Sequence, residues 1–235
     1  MTAASRRLLW PGLMTAGMLI VLLGLGTWQV RRLFWKDALL AEIDRAEASD
    51  PIPLPEAPSP FTKVSVTGTF LPSEAVLYGA DVRTVASGPE MGARMIVPLR
   101  PVSGDVILID RGWVPLSRPG PIDQPEGTVT VSGYVRPGDT AHWFSAKDDP
   151  AARRFFTLDP RAIGDAVGQP KARPFILVAL AAPAEPGAAP ERWPDPARTL
   201  PRPPNNHLSY AITWYGLAVA LLAIFTVWAR KGSGA

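Results

Sequence analysis

The chain of 235 residues carries 24 Lys and Arg against 21 Asp and Glu, a net charge of +3, and contains no cysteine. Zero cysteines exclude a disulfide framework, a thiolate metal site and a cysteine nucleophile. No basic run with interleaved aromatic residues is present, so a nucleic-acid partner is not expected.

The first predicted element is a membrane-spanning helix near the start of the chain. Residues 8–30 and, near the other end, residues 208–229 contain no charged side chain. A span needs about 20 mostly apolar residues, because a helix rises about 1.5 Å per residue across a hydrocarbon core of about 30 Å. Both stretches meet that length, so we predict two transmembrane helices.

The first apolar stretch has a second interpretation, a cleaved signal sequence. Arg6 and Arg7 would form its basic start, and Gly24-Leu25-Gly26 is a poor match to a cleavage site. Apolar regions of signal sequences are shorter, about 7–15 residues. A retained span is therefore the favoured interpretation.

Two spans put both ends of the chain on the same side of the membrane. Basic residues at the two ends favour a cytoplasmic location for them, including a tail at 230–235, whereas basic residues just after the first span argue the opposite. The first group is Arg6, Arg7, Arg230 and Lys231, and the second is Arg31, Arg32 and Lys36. Charge alone leaves the orientation open, with a central domain outside the cytoplasm slightly favoured.

The helix of the first span is expected to continue into water over residues 31–48, where apolar and charged residues alternate at helical spacing. Asp50 and a run of prolines then stop it, so residues 49–61 are predicted to be an extended tether. A second Pro- and Ala-rich tether is predicted at residues 181–204.

Residues 62–180 are predicted to form a β domain, because the apolar period changes to two at Thr62. Turn residues separate six strand candidates. These are Thr62–Phe70, Ala75–Gly79, Ala93–Leu99, Val106–Asp110, Thr128–Arg136 and Pro174–Leu180. One short helix is expected at 160–167, with Asp159 as N-cap and Gly168 closing it. The fold class is thus two transmembrane helices flanking a small, mainly antiparallel β barrel or sandwich.

The chain has only two histidines, His142 and His207. His142 is expected in a loop. If Asn205 or Asn206 caps the second span, His207 lies in the first turn of that helix, at the membrane surface. Three residues follow on its face at i+3, i+4 and i+7, namely Tyr210, Ala211 and Trp214. This face could hold a flat apolar ring with an axial iron ligand, although an ordinary interfacial belt gives the same pattern and is favoured on pattern alone.

The outer end of the first span shows a similar arrangement. Trp28, Arg32 and Trp35 share one helical face, and Gly26 would allow a second helix to approach closely. Arg32 or Lys36 could neutralise acidic groups of a ligand. Both could equally be ordinary anchors that extend to the membrane surface, which is the favoured interpretation on pattern alone.

Residues 110–115, Asp-Arg-Gly-Trp-Val-Pro, are expected to end a strand and enter a turn. We interpret Trp113 as a packed side chain and Arg111 as a charge-paired one at the rim of the barrel. The sequence contains no Gly-x-Ser-x-Gly, no phosphate-binding glycine loop and no His-Glu-x-x-His. An enzymatic activity is therefore not expected.

Several short motifs occur in a fixed order between and around the two spans. They are Leu25-Gly26-Thr27-Trp28-Gln29, Arg32-Leu33-x-Trp35-Lys36, Val66-x-Gly68-x-Phe70, Val97-Pro98-Leu99, Arg111-Gly112-Trp113-Val114-Pro115, Val131-x-Gly133 and Asn205-Asn206-His207-Leu208-x-Tyr210-Ala211-x-Thr213-Trp214-Tyr215. In these motifs the chain resembles the bacterial Surfeit-locus family of assembly factors for haem-a-containing cytochrome c oxidase. Ser209 and Asp110 depart from the usual pattern of that family.

The resemblance implies a multi-pass protein of the bacterial inner membrane with cytoplasmic termini and a periplasmic central domain. It implies a role in maturing oxidase subunit I around the insertion of haem a, with His207 as the residue associated with the haem. Tyr210, Trp214 and Trp28 would then pack on the ring, and Arg32 or Lys36 would meet the propionates. Subunit I, membrane lipid and a haem a synthase are the expected partners. The alternative is a scaffold that stabilises subunit I without binding haem.

Overall fold

The computed structural model describes residues 3–85, 88–117, 122–181 and 193–232. The chain divides into two compact units. The helical unit consists of Met1–Asp44 and Arg202–Ala235, and the β unit of Arg45–Pro201. Two long apolar helices at the ends of the chain thus flank a barrel-like β domain, which confirms the predicted fold class.

Two helices supply the helical unit. Helix α1 spans Ala3–Ala48 and helix α3 spans His207–Gly232, with the short helix α2, Pro160–Ala166, between them in the sequence. Both long helices have the length and composition needed to cross a membrane. Helix α1 continues without a break past residue 30, as the alternation of apolar and charged residues predicts.

In its described residues, the β unit contains eight strands in one sheet. They are β1 Ile52–Pro53, β2 Lys63–Phe70, β3 Val76–Val85, β4 Gly88–Pro101, β5 Ile107–Pro115, β6 Thr128–Pro137, β7 Arg154–Phe155 and β8 Phe175–Ala179. Five of them close a barrel in the order β2-β6-β8-β5-β4, and β4 returns to β2 through antiparallel pairs such as Thr69↔Arg100. Only β5 and β8 are parallel neighbours within this barrel.

The barrel has two apolar clusters because several strands are buried on both faces. The first fills the interior and includes Val64, Val66, Phe70, Val97, Leu99, Ile107, Ile109 and Leu177. The second lies under α2 and includes Val76, Ile96, Leu108, Phe155, Leu158, Ile163 and Ile176. Alternate side chains of one strand enter different clusters, as the pleat of a strand requires.

Helix α2 forms where the sequence predicts it. The carboxylate of Asp159 accepts a hydrogen bond from the backbone N–H of Arg161 at 2.9 Å, and a proline occupies the first turn. Gly168 follows at φ +73°, a conformation that costs glycine little. The local signals for both ends of this helix are therefore confirmed.

Strands β3 and β4 are longer than the sequence patterns predict. Beyond the barrel they pair as a hairpin as far as Val85 and Gly88. The register shifts between Tyr78 and Asp81, where Gly79 has φ +68°. An irregularity of this kind interrupts the period-two pattern, so sequence analysis ended the strand there although the pairing resumes.

The expectation that residues 110–115 leave the strand is wrong. Asp110 pairs with Ile96 and Gly112 pairs with Met95, so Arg111 is the extra residue of a β-bulge and β5 continues to Pro115. Gly112 has φ +128°, and a Cβ there would collide with the backbone of Asp195. A bulge with a glycine in the left-handed region resembles a turn in sequence, although it leaves the strand intact.

The Pro-rich segments are not free tethers where the structure describes them. In the segment 49–61, Ile52 and Pro53 pair in parallel with β2. Residues 182–192 of the second segment, 181–204, lie outside the described residues. Its later part packs on the β unit: Trp113 N–H donates to Asp195 O at 2.9 Å, and Asp195 N–H donates to Trp113 O at 2.8 Å. These bonds satisfy backbone groups at the outer end of β5 that would otherwise lack partners.

Candidate functional site

His207 is the first residue of α3, and its imidazole is held by a residue of α1. The Nδ1 atom lies 2.7 Å from Oε1 of Gln29. Gln29 is buried, with 8% of its surface exposed, and His207 is partly buried. The contact joins residues 178 positions apart in the sequence. It fixes the ring of the only histidine in the described part of the helical unit.

Next to this contact, a stripe of mostly small side chains lies between the two helices. On α1 the buried residues Leu22, Gly26 and Gln29 recur at the spacing of one helical face. On α3 the buried residues Ala211 and Ala218 continue the face that begins at His207. Small residues allow helix backbones to approach closely, which is how helices associate where lipid removes the hydrophobic driving force.

At Gly26 the two helices approach closely. A Cβ atom on Gly26 would lie 2.7 Å from Cε1 of Tyr215, so a larger residue there would displace the ring. One residue further on, the hydroxyl groups of Thr27 and Tyr215 lie 3.1 Å apart and share a hydrogen bond. The predicted close approach at Gly26 is confirmed, and it precedes Gln29 by one helical turn.

Polar contacts continue the helix pairing on the other side of His207. The side-chain amide of Asn205 donates to Asp37 Oδ1 at 2.7 Å, and Arg202 pairs with Asp44 at 2.6 Å. Asn205 is thus engaged with α1 instead of capping α3 with its side chain. The Asn206 carbonyl accepts from the N–H of Tyr210 at 3.4 Å, so Asn206 stands at the helix entry.

The structure places the other predicted site residues on exposed surfaces of the helices. Trp28 is 55% exposed and Tyr210 is 54% exposed, while Trp214 is partly buried. Arg32 lies over the ring of Trp35, with Cζ 4.0 Å from the ring centroid. Arg32 and Trp35 are therefore brought together as the helical spacing predicts, and their association is a cation–π contact.

These residues can coordinate a bound molecule through one nitrogen atom of the protein. Among the described residues, no three His, Asp or Glu side chains gather in a metal-binding group. His207 offers one imidazole, and exposed aromatic rings and a guanidinium stand on the same helices. Such a set does not build a closed metal cage, but it suits a flat iron-containing ring with apolar faces and acidic edge groups.

The β unit carries a concave surface of its own, a cavity of about 730 Å³ lined by residues that include Lys63, Phe70, Arg111 and Asp123. Arg111 donates to the carbonyl of Asp123 at 2.8 Å and pairs with its carboxylate at 3.4 Å. Burial lowers the pKa of Arg111, and the charge of Asp123 only partly offsets this effect. The predicted charge pairing of Arg111 is confirmed.

Trp113 is fully buried, as the sequence suggests. Its ring meets Trp193 edge-on, with centroids 5.2 Å apart, and its Nε1–H donates to the carbonyl of Asp81 at 3.3 Å. The side chain therefore joins β5 to β3 and to the segment that follows residue 192. Its role is structural.

His142 lies in an exposed loop of the β unit, as predicted. Its ring stacks on Phe144 with centroids 5.7 Å apart, and its backbone N–H donates to the hydroxyl of Ser145. Beside it Trp143 is 96% exposed and Phe144 is 71% exposed. The loop presents two large aromatic side chains to its surroundings.

Sequence reasoning missed the role of Gln29. The residue lies in a motif that marks the family resemblance, yet nothing in that motif indicates its partner. A signal was available in the spacing of Leu22, Gly26 and Gln29, which places a polar side chain on the small-residue face of α1. A polar group on such a face needs a hydrogen-bond partner on the opposite helix.

Comparison with known proteins identifies the family of the chain. Residues 16–219 match the model of the SURF1 family. The SURF1-like protein of Monosiga brevicollis is 34% identical over 229 residues, covering 91% of this chain and 85% of that protein. Human Surfeit locus protein 1 is 31% identical over 218 residues, covering 84% and 70%. The SURF1-like protein of Rickettsia conorii is 28% identical over 216 residues, covering 90% and 88%. The chain belongs to the SURF1 family.

Proposed function

We propose that this protein is an assembly factor for haem-a-containing cytochrome c oxidase, which binds haem a at the membrane boundary and aids its insertion into subunit I. Membership of the SURF1 family supports the general role. The observation that carries the haem step is the imidazole of His207, held through Nδ1 by the buried Gln29 at the start of an apolar helix.

Each predicted site residue has a part in this proposal. His207 supplies the axial nitrogen to the iron of the cargo. Trp28, Tyr210 and Trp214 supply apolar surface for the ring. Arg32 meets the propionates, and this would require it to leave or share its contact with Trp35. Haem a carries a long apolar tail, so a site at the membrane surface lets the tail remain among lipid.

A carrier must also release its cargo. With a single protein ligand, one coordinate bond would join the protein to the haem iron, and a ligand of the acceptor could replace it. Two strong ligands would close the site and slow the transfer. The absence of a three-residue metal-binding group among the described residues is consistent with this open arrangement.

In the proposed topology the protein lies in the bacterial inner membrane with both termini in the cytoplasm and the β unit in the periplasm. The partners are subunit I, which receives the haem, a haem a synthase, which supplies it, and the surrounding lipid. No enzymatic step is assigned to the chain. Its contribution is to bind, orient and hand over the haem.

An absorbance spectrum of the full-length protein, purified from cells that make haem a, tests the proposal. We expect a haem a spectrum in the parent protein and its loss in His207→Ala. The matched control is His142→Ala, which removes the other histidine of the chain and should retain the spectrum. Retention in a stably inserted His207→Ala would refute ligation by this residue.

The exposed aromatic loop favours one alternative, a scaffold that binds subunit I without haem. Trp143 and Phe144 are large apolar side chains at the surface of the β unit, and tryptophan is enriched where proteins bind partners. If neither parent nor variant contains haem while subunit I still co-purifies, and Trp143→Ala abolishes that co-purification, the scaffold is the correct function.

A further inference from the structure

We infer that Gln29 positions His207 by accepting a hydrogen bond from Nδ1–H, which leaves Nε2 as the nitrogen with a free lone pair. Only Nε2 would then be available to iron. The role of Nε2 as a haem ligand rests on the proposed function. The assignment of the proton to Nδ1 does not, because it concerns the free protein.

The contact itself assigns the proton. A neutral imidazole has one N–H and one bare nitrogen, and the hydrogen bond at one nitrogen decides which form is present. The atom facing Nδ1 at 2.7 Å is the amide oxygen of Gln29, which can only accept. Nδ1 must therefore carry the hydrogen. An isolated pair of bare acceptors at this distance would be repulsive and would leave a buried amide oxygen without a donor.

The surroundings of Gln29 keep its oxygen in place. The residue is 8% exposed and lies one turn beyond Gly26, where Tyr215 packs against α1. Because the backbones are close here, the amide has little room to turn, and the imidazole that it holds has a defined orientation.

The neutral charge of Gln29 has a functional consequence. The group that accepts a hydrogen bond from the other nitrogen of a ligating histidine is commonly a carboxylate or a carbonyl, and it raises the basicity of the ring. A carboxylate would donate more charge to the ring and strengthen its bond to iron. An amide fixes the ring without adding that charge, which suits a protein that passes its haem on.

Nitrogen-15 NMR of the haem-free full-length protein in lipid nanodiscs tests the proton assignment. The chain has only two histidines, so labelling with nitrogen-15 histidine gives two sets of ring signals, and His207→Ala identifies them. We expect His207 to be protonated at Nδ1. Protonation of the neutral ring at Nε2 in the parent protein would overturn the inference directly, without any variant.

Variants then identify Gln29 as the cause. Gln29→Leu removes the acceptor at similar size, and we expect His207 to lose its preference for Nδ1–H while His142 is unchanged. Gln29→Glu retains an acceptor oxygen and should retain Nδ1–H. The matched control is Thr27→Val, which removes the neighbouring interhelical hydrogen bond and should leave the His207 signals as in the parent. An unchanged proton position in Gln29→Leu would show that Gln29 does not set it.

Haem titration separates this inference from the proposed function. Loss of the group that hydrogen-bonds to a ligating side chain typically lowers metal affinity by about 10- to 100-fold. We expect a loss of this size in Gln29→Leu and slower haem release in Gln29→Glu. If the parent binds no haem but shows Nδ1–H, the proposed function fails and the positioning role stands. If the parent binds haem but His207 carries its proton on Nε2 before haem is added, the positioning role of Gln29 fails and the proposed function stands.

Discussion

The β unit and the helical unit are stabilised in different ways. The interior of the barrel consists mainly of large apolar side chains that are almost completely excluded from solvent, among them Leu99, Ile107 and Ile109. The stripe between α1 and α3 instead consists of Gly26, two alanines, Leu22 and the polar Gln29. Hydrophobic burial stabilises the first unit, whereas close packing and hydrogen bonds join the helices of the second.

This difference separates the determinants of stability from those of the proposed activity. A large side chain removed from the barrel leaves a cavity and costs free energy of unfolding. A large side chain at Gly26 in the helix pair alters few buried atoms, but we expect it to move the ring of His207, on which the proposed activity depends. The predictions below test this division, beginning with the largest expected effect.

Trp113→Ala should lower the free energy of unfolding of the β unit by about 3–5 kcal/mol, the usual cost of deleting a buried aromatic ring. It would remove the contact with Trp193 and the hydrogen bond to Asp81. Urea denaturation of the full-length protein in detergent, followed by the strand signal in circular dichroism, measures it. The control Trp143→Ala removes the same side chain from a site that is 96% exposed and should change the value by less than about 0.5 kcal/mol. Equal effects would contradict the assigned core.

Asp110→Asn should cost about 1.5–3 kcal/mol, the contribution typical of a hydrogen bond to a charged group. The Asp110 carboxylate is buried, is paired with Arg94, and accepts from the N–H of Gly112 at 3.1 Å. Burial alone would lower the pKa of Arg94, but the charge of Asp110 and its hydrogen bond outweigh burial and leave that pKa raised.

The same denaturation experiment measures the effect of Asp110→Asn. Its control is Asp139→Asn, which neutralises the exposed partner of Arg136 at 3.3 Å. Exposed ion pairs contribute about 0–1 kcal/mol, so the control should lie near the parent protein. If Asp110→Asn left the free energy of unfolding unchanged, the Asp110–Arg94 pair would not contribute to the stability of the bulge in β5.

Gly26→Val should weaken the pairing of α1 with α3 by about 1–3 kcal/mol, because the added atoms meet the ring of Tyr215. Gly24→Val is the matched control, since a Cβ on Gly24 has no atom within 4 Å. The cysteine-free chain accepts spin labels only at introduced cysteines, so labels at Met14 and Ile224, both exposed, report the helix separation. We expect a longer, broader distance distribution in Gly26→Val alone.

The unfolding of the β unit should be unaffected by Gly26→Val. A fall in barrel stability equal to that of Trp113→Ala would contradict the division between the two units. The SDS concentration at which the helices separate gives the free energy of association of α1 with α3. The nitrogen-15 signals of His207 show whether its contact with Gln29 is lost at the same time.

The features that sequence predicts well are those with local signals. The two apolar stretches, the continuation of α1 past residue 30 and the cap of α2 by Asp159 depend on residues within a few positions of each other. Local alternation also predicts parts of six strands, β2, β3, β4, β5, β6 and β8, but not the two-residue strands β1 and β7. In each of these elements, the local interactions that the sequence pattern indicates are the ones that form it in the structure.

The features that sequence could not predict depend on distant partners. β5 continues past Asp110 because a bulge at Gly112 accommodates Asp195, more than 80 residues away. The packing of Trp193 on Trp113 likewise joins residues that are far apart in the sequence. The Gln29–His207 contact joins the two ends of the chain, so a single sequence reveals the two residues but not their pairing.

The smallest effect that we predict concerns alkaline pH and the phenol of Tyr134, which lies in the wall of the barrel. Burial raises its pKa above the usual value of about 10, with smaller opposing contributions from Arg94 and Arg136 and a reinforcing one from Asp110. The unfolded chain therefore loses this proton first as pH rises. The stability contributed by the protonated phenol is full below about pH 10 and is lost as pH rises towards and through the folded pKa. Tyr134→Phe should remove this part of the alkaline slope and leave stability near neutral pH almost unchanged. Urea midpoints at about pH 8 and about pH 11 measure the slope, and an identical slope in the variant would place the alkaline sensitivity outside the barrel wall.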